Sequence, residues 1–461
     1  YTGLIADHLA LAGRTEEAVE YLLQTGDRAR GLYAHQEAIQ AYERALSLPK
    51  QQGDDERAAR TFMKLGLTHD TAFDFRAARQ AYEEGFALWQ RAAQREPVAA
   101  LPPAPHALRG AEMDPTTLDP GLNLGWDIVI QHLFSGLVAH TPELGIVPDV
   151  AARWQVLDGG RRYVFRLRDD VLWSDGRPVT AHDFEYAWKR LLDPATGSPA
   201  ASQVFDIKGA RAFHEGSVSD PGAVGVRASG DWTLVVELEA PTGYLLHLLS
   251  HSASYPVPRH MVEQWGPDWT EPGHIATNGP FTLEAWKRGE FLVLKRNPRY
   301  RGRFGGNVER VELTLLPELP TTGEVELYHA GLVDWCMLRM DAPEEIDRMR
   351  RLHAGEYVTL PHAATRYAAF DVRRAPVDDP RVRRAFAHAV DREAFAGATL
   401  GGYYSPATAG IVPPGMPGHV PGVALPYDPE RARELLAEAG YGGDSGFPPL
   451  DFLTAHPMHV E

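Results

Sequence analysis

The stretch Trp173–Pro194, WSDGRPVTAHDFEYAWKRLLDP, contributes most to predicting the fold of this chain. SDGRP is a turn signal, and the residues after it have the periodicity of an amphipathic helix. Thr180 and Asp183 are three residues apart, which approximates a capping box at the start of the helix, and Asp193-Pro194 predicts its end. One face of the helix carries four large apolar residues: Phe184, Trp188, Leu191 and Leu192.

The polar residues of this stretch have structural explanations. Asp183 lies where the helix dipole favours a negative charge. His182 belongs to the first turn, on the side that we expect to face solvent. We therefore expect no catalytic residue in the stretch, and we assign His182 to the scaffold.

The composition limits the classes of protein to which the chain can belong. Its 461 residues exceed one ordinary core, so two or more domains are expected, and 44% hydrophobic with 23% charged residues is typical of globular proteins. The 46 basic and 62 acidic residues give a net charge of −16, which argues against nucleic acid as a partner and is compatible with a cationic or mixed-charge ligand. One cysteine, Cys336, excludes a disulfide within the chain. No apolar run of about 18 residues occurs, so no transmembrane helix is predicted.

Residues 1–97 predict an all-α array of helical repeats. An Ala is followed four residues later by a Tyr in Ala38/Tyr42 and again in Ala78/Tyr82. Small residues at such positions let paired helices approach closely, and the Tyr fills the gap. The layout resembles tetratricopeptide repeats, whose period is about 34 residues, with KQQGDDER as an insertion. Two interpretations stay open: a solenoid that binds a protein partner, and a helical array without a partner of its own.

The Pro- and Ala-rich residues 98–107 predict a linker, after which the pattern changes to strands mixed with helices. Apolar residues alternate in RRYVFRLR and DWTLVVELE, as in half-buried strands, and FLVLKRN and VERVELTLLPE are further strand candidates. The alternating residues are Tyr163, Phe165 and Leu167 in the first segment, and Trp232, Leu234, Val236 and Leu238 in the second.

Two further helices have clear start signals. Asp379-Pro380 and Asp428-Pro429 each combine an N-cap with a proline in the first turn, and Gly440 predicts the end of the second helix. The first helix is predicted to bury one apolar stripe: Val382, Ala385, Phe386, Ala389 and Val390.

Motifs of catalysis and metal binding are missing from the sequence or have a simpler explanation. No phosphate-binding loop, dinucleotide fingerprint, His-Glu-x-x-His or Cys-x-x-Cys spacing occurs. The tetrapeptide GDSG in YGGDSGFPP follows a helix end and precedes two prolines, so it predicts a turn rather than a protease nucleophile. His456 and His459 have no further ligand set around them. We therefore expect a protein that is not an enzyme and that needs no cofactor or metal.

Several collinear segments between residues 108 and 461 resemble the periplasmic oligopeptide-binding proteins, the extracellular solute receptors of peptide and nickel ABC importers. LWSDGRPVTAHDFEYAWKRLLDP is similar to the signature of this family. Other segments agree with the family in the same order: TTLDP with HLFSGLV, SYPVPRHMVEQWG, IATNGPFTLEAWKRGEFLVLKRNPRY, YAAFDVRRAPVDDPRVRRAFAHAVDREA and YDPERARELLAEAGY. The resemblance implies an α/β bilobal clamp, a Venus flytrap similar to type II periplasmic binding proteins, which closes on an extended peptide by a hinge motion.

The resemblance also implies the domain organisation of the clamp. Residues 108–362 would form the first lobe, with an inserted subdomain at about 136–254, and residues 363–461 the start of an incomplete second lobe. Tyr1 lies inside a predicted helix, and the sequence stops within a strand-turn-helix pattern. We therefore expect a piece of a longer protein.

The ligand-binding residues implied by the resemblance include matches and departures. The loop after LDP would lie at the peptide, but the acidic residue of the oligopeptide binders is replaced here by Asn123 and Leu124. Ala200 stands where close relatives have a tyrosine, and Leu338 and Arg339 replace a pair of asparagines. Arg339 either binds a ligand carboxylate or is a solvated surface residue. The full set of implied ligand-binding residues is Asn123, Leu124, Gly125, Ala200, Leu338, Arg339, Tyr367 and His456.

Two functions follow from these observations. The first is a peptide receptor outside the cytoplasm, whose partners are a peptide and the membrane permease of an ABC importer. The second is a cytoplasmic signalling or regulatory protein that uses the clamp as a ligand sensor, because tetratricopeptide-like arrays usually serve cytosolic assemblies and no export signal separates the array from the clamp. Members of the wider superfamily that bind nickel, sugars or opines leave the ligand open.

Overall fold

The computed structural model describes residues 2–31, 34–48, 55–72, 74–93, 107–123, 128–141, 145–302, 305–316, 323–338, 343–353, 355–358, 364–399, 404–413, 419–442 and 446–451. The chain divides into two compact units. One comprises Tyr1–Arg30 with Ala34–Met337, and the other comprises Gly31–Tyr33 with Leu338–Glu461. The N-terminal helices therefore belong to the same unit as most of the α/β body. Within the described ranges, no helix combines the length and the apolar character needed to cross a bilayer.

Five helices form the N-terminal region: α1 Thr2–Leu11, α2 Thr15–Gly31, α3 His35–Ser47, α4 Asp55–Thr71 and α5 Phe75–Ala93. The predicted burial of Ala38, Tyr42, Ala78 and Tyr82 is confirmed, because all four are fully buried. Each tyrosine packs against a glycine of the preceding helix. A Cβ on Gly26 would lie 2.5 Å from the Tyr42 ring, and one on Gly66 would lie 2.4 Å from the Tyr82 ring. The hairpins α2–α3 and α4–α5 thus repeat one arrangement at an offset of 40 residues. Of the predicted linker, only Ala107 lies within the described residues.

In the described residues, the rest of the first unit contains ten strands and six helices. The strands are β1 Leu108–Met113, β2 Val138–His140, β3 Ile146–Pro148, β4 Ala151–Leu157, β5 Arg162–Leu167, β6 Val226–Ala228, β7 Thr233–Glu237, β8 Phe281–Lys287, β9 Phe291–Arg296 and β10 Arg310–Leu316. The helices are α6 Ile128–Leu133, α7 Ala181–Leu192, α8 Ala210–His214, α9 Leu245–Leu248, α10 Arg259–Trp265 and α11 Gly323–His329. All four predicted strands are confirmed, as β5, β7, β9 and β10.

The strands form two four-stranded sheets and one two-stranded ribbon. One sheet has the order β1-β10-β9-β8, in which β1 runs parallel to β10 with Leu108 opposite Val311 and the other pairs are antiparallel. The other sheet has the order β4-β5-β7-β6 and is antiparallel throughout. Strands β2 and β3 pair with each other. The predicted alternation in β5 and β7 places Tyr163, Phe165 and Leu234 in the core.

The hairpin α4–α5 packs directly on the second sheet. Helix α5 lies against β4, and α4 contacts β3. The ring of Tyr82 meets the ring of Trp154 edge-on, with centroids 5.0 Å apart and planes at 62°. Met63 and Leu67 from α4 join the same buried apolar cluster as the strands. The hairpin α4–α5 and the α/β body therefore share one hydrophobic core, whereas the buried residues of α1–α3 form separate clusters.

Helix α7, which follows the turn at SDGRP, has the predicted ends and the predicted buried face. Thr180 and Asp183 form the capping box, and Asp193 terminates the helix. The four apolar residues of its inner face are fully buried, and Trp188 donates its indole N–H to the carbonyl of Ser254 at 2.7 Å. The stretch thus holds the segment of Ser254 against α7.

The second unit contains the helices α12 Pro343–Leu352, α13 Pro380–Ala389, α14 Arg392–Ala394 and α15 Pro429–Glu438. Asp379 and Asp428 accept the predicted hydrogen bonds from backbone N–H groups of the first turns of α13 and α15. The predicted stripe of α13 is wrong in part, because Val382 and Ala385 are buried whereas the other three residues are exposed. Val390 has extended backbone beyond the last helical residue, so the helical phase does not apply to it, whereas Phe386 and Ala389 are exposed within the helix.

Candidate ligand-binding site

The loop that follows TTLDP begins as a single 3-10 turn, Pro120–Leu122. Asp119 caps this turn by accepting a hydrogen bond from the N–H of Gly121 at 2.9 Å. Asn123 follows in an extended conformation and is half-buried. Leu124 and Gly125, the other predicted ligand residues of this loop, lie outside the described residues.

Asp119 is a buried carboxylate, only 2% exposed. Arg190 of α7 binds it with both arms of the guanidinium, at 2.7 Å from Nη2 to Oδ2 and 3.2 Å from Nη1 to Oδ1. Trp269 donates its indole N–H to Oδ2 at 3.0 Å. A buried charge is tolerated where a partner ion and further hydrogen bonds compensate for the lost hydration, and Asp119 has both.

The segment Ser198–Ala200 lies beside this turn. The hydroxyl of Ser198 donates to the carbonyl of Gly121 at 2.5 Å, and the N–H of Ala200 donates to the Ser198 oxygen at 3.1 Å. Ala200 itself is 1% exposed. The structure therefore brings the loop of Asn123 and the segment of Ala200 together, which the sequence alone did not indicate.

A third segment, Ser252–Ser254, packs against the turn Pro120–Leu122. It follows His251, whose pKa is lowered by burial. The pKa of His140 is also lowered, first by desolvation and then by the nearby His251. Ser250 joins the group, because its hydroxyl oxygen lies 2.5 Å from Nε2 of His140. Two histidines with lowered pKa values, His140 and His251, thus lie next to the segment that packs on the turn.

Most of the polar residues in Trp173–Pro194 have the structural roles that were predicted. The imidazole of His182 is more than half exposed, with Nε2 at 3.6 Å from a carboxylate oxygen of Asp231. The pKa of Asp183 is raised by burial, while hydrogen bonds from Thr180 oppose that shift. The exception is Arg190, which belongs to the Asp119 network.

Asp119, Arg190 and Trp269 are absent from the predicted site residues. The only sequence signal is the pair Asp119-Pro120, which is the same capping signal as Asp193-Pro194. Burial distinguishes the two pairs, and burial depends on residues that are distant in the sequence.

The remaining predicted ligand residues belong to the second unit. Tyr367 is 72% exposed, and Leu338 is half-buried. Arg339 and His456 lie outside the described residues, as do His459 and the Asp444 and Ser445 of GDSG. Among the residues that the structure describes, no three His, Cys, Asp or Glu side chains are grouped so as to hold a metal ion.

Comparison with known proteins finds a matching family model. Residues 145–456 match the model described as bacterial extracellular solute-binding proteins, family 5 middle. The chain is 36% identical over 362 residues to the probable deoxycholate-binding periplasmic protein YgiS of Escherichia coli, a match that covers 76% of this chain and 63% of YgiS. It is 35% identical over 327 residues to the periplasmic oligopeptide-binding protein OppA of the same organism, covering 68% of this chain and 59% of OppA.

Solved structures give the same result. The chain superposes on the murein tripeptide binding protein MppA of Escherichia coli with a TM-score of 0.63 and 31% identity, covering 74% of this chain and 67% of MppA. The chain therefore spans about 60% of the length of the curated relatives that it matches.

Proposed function

Because the chain belongs to the family 5 bacterial extracellular solute-binding proteins, we propose that it captures peptides in a cleft between two lobes for uptake by an ABC importer. Its fold is that of the OppA-like type II periplasmic binding proteins, preceded by a helical region. The observation that carries the proposal is the 35% identity to an oligopeptide-binding protein. By the same argument we propose a location outside the cytoplasm and the permease of an importer as partner.

The ligand-contacting residues in this proposal are those that the family resemblance implies: Asn123, Leu124, Gly125, Ala200, Leu338, Arg339, Tyr367 and His456. Ala200, where relatives have a tyrosine, either opens a pocket or removes a contact, and Arg339 pairs with a carboxylate of the ligand. The ligand's main chain supplies most of the affinity through hydrogen bonds, so side chains of different size are accepted.

We also propose that α1–α5 are tetratricopeptide-like repeats that serve a protein partner. The support is the repetition of one hairpin arrangement at an offset of 40 residues, with a Gly against a Tyr in each hairpin. The domain limits proposed for the clamp are 108–362 for the first lobe and 363 onward for the second.

A second candidate ligand is an amphipathic steroid acid. The favouring observation is the 36% identity to a relative named for probable deoxycholate binding. Peptides and such acids share a carboxylate but differ in their backbone hydrogen-bonding groups, so a direct comparison separates them.

The experiment is a thermal-shift and calorimetric screen of the complete protein against tri-, tetra- and pentapeptides and against deoxycholate. A ligand at a hundred times its dissociation constant stabilises the folded state by about 2.7 kcal/mol, so binding raises the melting temperature by several degrees. We expect at least one peptide length to do so. Stabilisation by deoxycholate alone would replace peptides with the steroid acid, and no stabilisation by either would remove the proposal.

A further inference from the structure

Three Asp-Pro pairs of the first unit form the same local motif, in which the Asp caps a single 3-10 turn that begins at the Pro. Each carboxylate accepts a hydrogen bond from the N–H two residues later. The three bonds are Asp119 to Gly121 at 2.9 Å, Asp193 to Ala195 at 2.9 Å and Asp220 to Gly222 at 2.8 Å. The local motif therefore needs nothing beyond the Asp and the backbone.

Asp119 differs from the other two in its surroundings. Asp193 is half-buried and Asp220 is exposed, whereas Asp119 is buried and binds Arg190 and the indole N–H of Trp269. These two partners come from α7 and from the 3-10 turn Gly266–Thr270. Because capping does not require them, their effect is to fix the turn relative to two other elements.

The turn is fixed from a third side by the bond from Ser198 to the carbonyl of Gly121. Gly121 thus has both its N–H and its carbonyl engaged, two residues before Asn123. A guanidinium that binds a carboxylate through both arms constrains orientation as well as distance. The backbone from Gly121 to Asn123 is therefore held against Ser198–Ala200 before any ligand arrives.

We propose that Asp119 and Arg190 are positioning residues of the ligand site, which hold the backbone of residues 121–123 in the geometry that a peptide requires. The inference rests on the proposed function, in which Asn123 and the segment of Ala200 face the ligand. Neither Asp119 nor Arg190 touches the peptide. Both act through the loop, since preorganised groups bind a ligand without a further ordering cost.

The test compares Asp119→Asn and Arg190→Lys in the complete protein, with the peptide from the screen that binds the wild type best. Asp119→Asn keeps an oxygen for the N–H of Gly121 but loses the charge that Arg190 binds. Arg190→Lys keeps the charge but loses the two-armed geometry. We expect Asp119→Asn to weaken peptide affinity by about tenfold or more, and Arg190→Lys to weaken it by a smaller factor.

Two control variants separate positioning from general stability. Asp220→Asn alters the same motif at an exposed turn and is expected to leave the affinity within about twofold. Asn297→Ala removes a buried side chain that donates to the carbonyl of Gly279 at 2.9 Å and accepts from the N–H of Arg299 at 3.0 Å. It is expected to lower the melting temperature as Asp119→Asn does, and to leave the affinity unchanged.

Two results would overturn the inference: wild-type affinity in Asp119→Asn, or an equal loss of affinity in Asn297→Ala. If the wild type binds no peptide, the proposed function fails by itself. Amide hydrogen exchange then decides the positioning role, because Asp119→Asn is expected to accelerate exchange at Gly121 and Asp220→Asn is not. Unchanged exchange at Gly121 in Asp119→Asn would again remove the inference.

Discussion

The ring of Tyr82 in α5 contacts the ring of Trp154 in β4 edge-on, at a centroid distance of 5.0 Å. Tyr42 occupies the equivalent place in the preceding hairpin, but its buried neighbours are helical residues only. Two tyrosines that pack against a glycine in the same way therefore differ in their contact with the sheet. The hydroxyl of Tyr42 also donates a hydrogen bond to Asp27 at 2.7 Å, and the residue equivalent to Asp27 in the second hairpin is Leu67.

This difference predicts a difference in coupling. Tyr82→Ala and Tyr42→Ala should each destabilise the protein by about 3–5 kcal/mol, as other large-to-small core substitutions do. In a double-mutant cycle with Trp154→Ala, Tyr82 should show a coupling energy of about 0.5–1.5 kcal/mol, and Tyr42 close to zero. Denaturant unfolding of the wild type, the single variants and the double variants gives the free energies from which both coupling energies are calculated. Equal coupling for the two tyrosines would contradict the shared core of hairpin and sheet.

Gly66→Ala should destabilise the protein although alanine favours helices. The new Cβ would lie 2.4 Å from the ring of Tyr82, which is fully buried against Trp154, so we expect a loss of about 1–3 kcal/mol. Gly85→Ala is the control, because the nearest atom to its Cβ would be the terminal methyl of the flexible Met63 side chain, at 2.4 Å. Its other neighbours, the Ala59 carbonyl oxygen and the Phe62 Cβ, lie at 3.2 Å and need to shift by only a few tenths of an ångström. In thermal unfolding, the melting temperature of Gly66→Ala should be clearly lower than that of Gly85→Ala. The reverse order would show that the Tyr82 ring adapts.

The stability of the first unit should fall in mildly acidic solution. Burial lowers the pKa of His251 below its ordinary value of 6.5, so the folded state takes up a proton less readily than the unfolded state. The stability that this histidine contributes is therefore present above about pH 6.5 and is lost as the pH falls below that value. Melting temperatures measured between about pH 7.5 and 5.5 should decrease, and His251→Gln should make the decrease smaller.

A slope that His251→Gln does not change would mean that other groups produce it.

His182→Ala should leave ligand affinity unchanged, because the exposed side chain belongs to the scaffold of α7. Calorimetry with the best-binding peptide checks this, and Asp119→Asn is measured alongside as the variant that is expected to lose affinity. A tenfold loss in His182→Ala, about 1.4 kcal/mol, would place the residue at the ligand instead.

Elements that depend on local pattern could be predicted from the sequence. The alternation of Tyr163 and Phe165 predicts a strand with one face buried, because successive side chains of a strand point to opposite faces. The pair Thr180 and Asp183 specifies a helix start because its hydrogen bonds lie within four residues. One of the three wrong positions in the stripe of α13, Val390, lies outside the helix, because another capped helix begins at Asp391.

The candidate site was less accessible to prediction. The residues Asp119, Asp193 and Asp220 precede prolines in the same way, so local sequence cannot indicate which of them is buried. The answer depends on Arg190 and Trp269, which are 71 and 150 residues away. The same is true of Tyr82. The Ala78/Tyr82 spacing predicts packing between helices, but it does not predict the contact with Trp154.

The contact between α5 and β4 also has a consequence for synthesis on the ribosome. Helices α4 and α5 are made before any strand of the sheet that covers them, and that sheet is complete only when β7, ending at Glu237, has emerged. At about 5–20 residues per second, Met63, Leu67 and Tyr82 wait many seconds for their partners. These apolar side chains therefore stay without their sheet partners until the strands that cover them have been made.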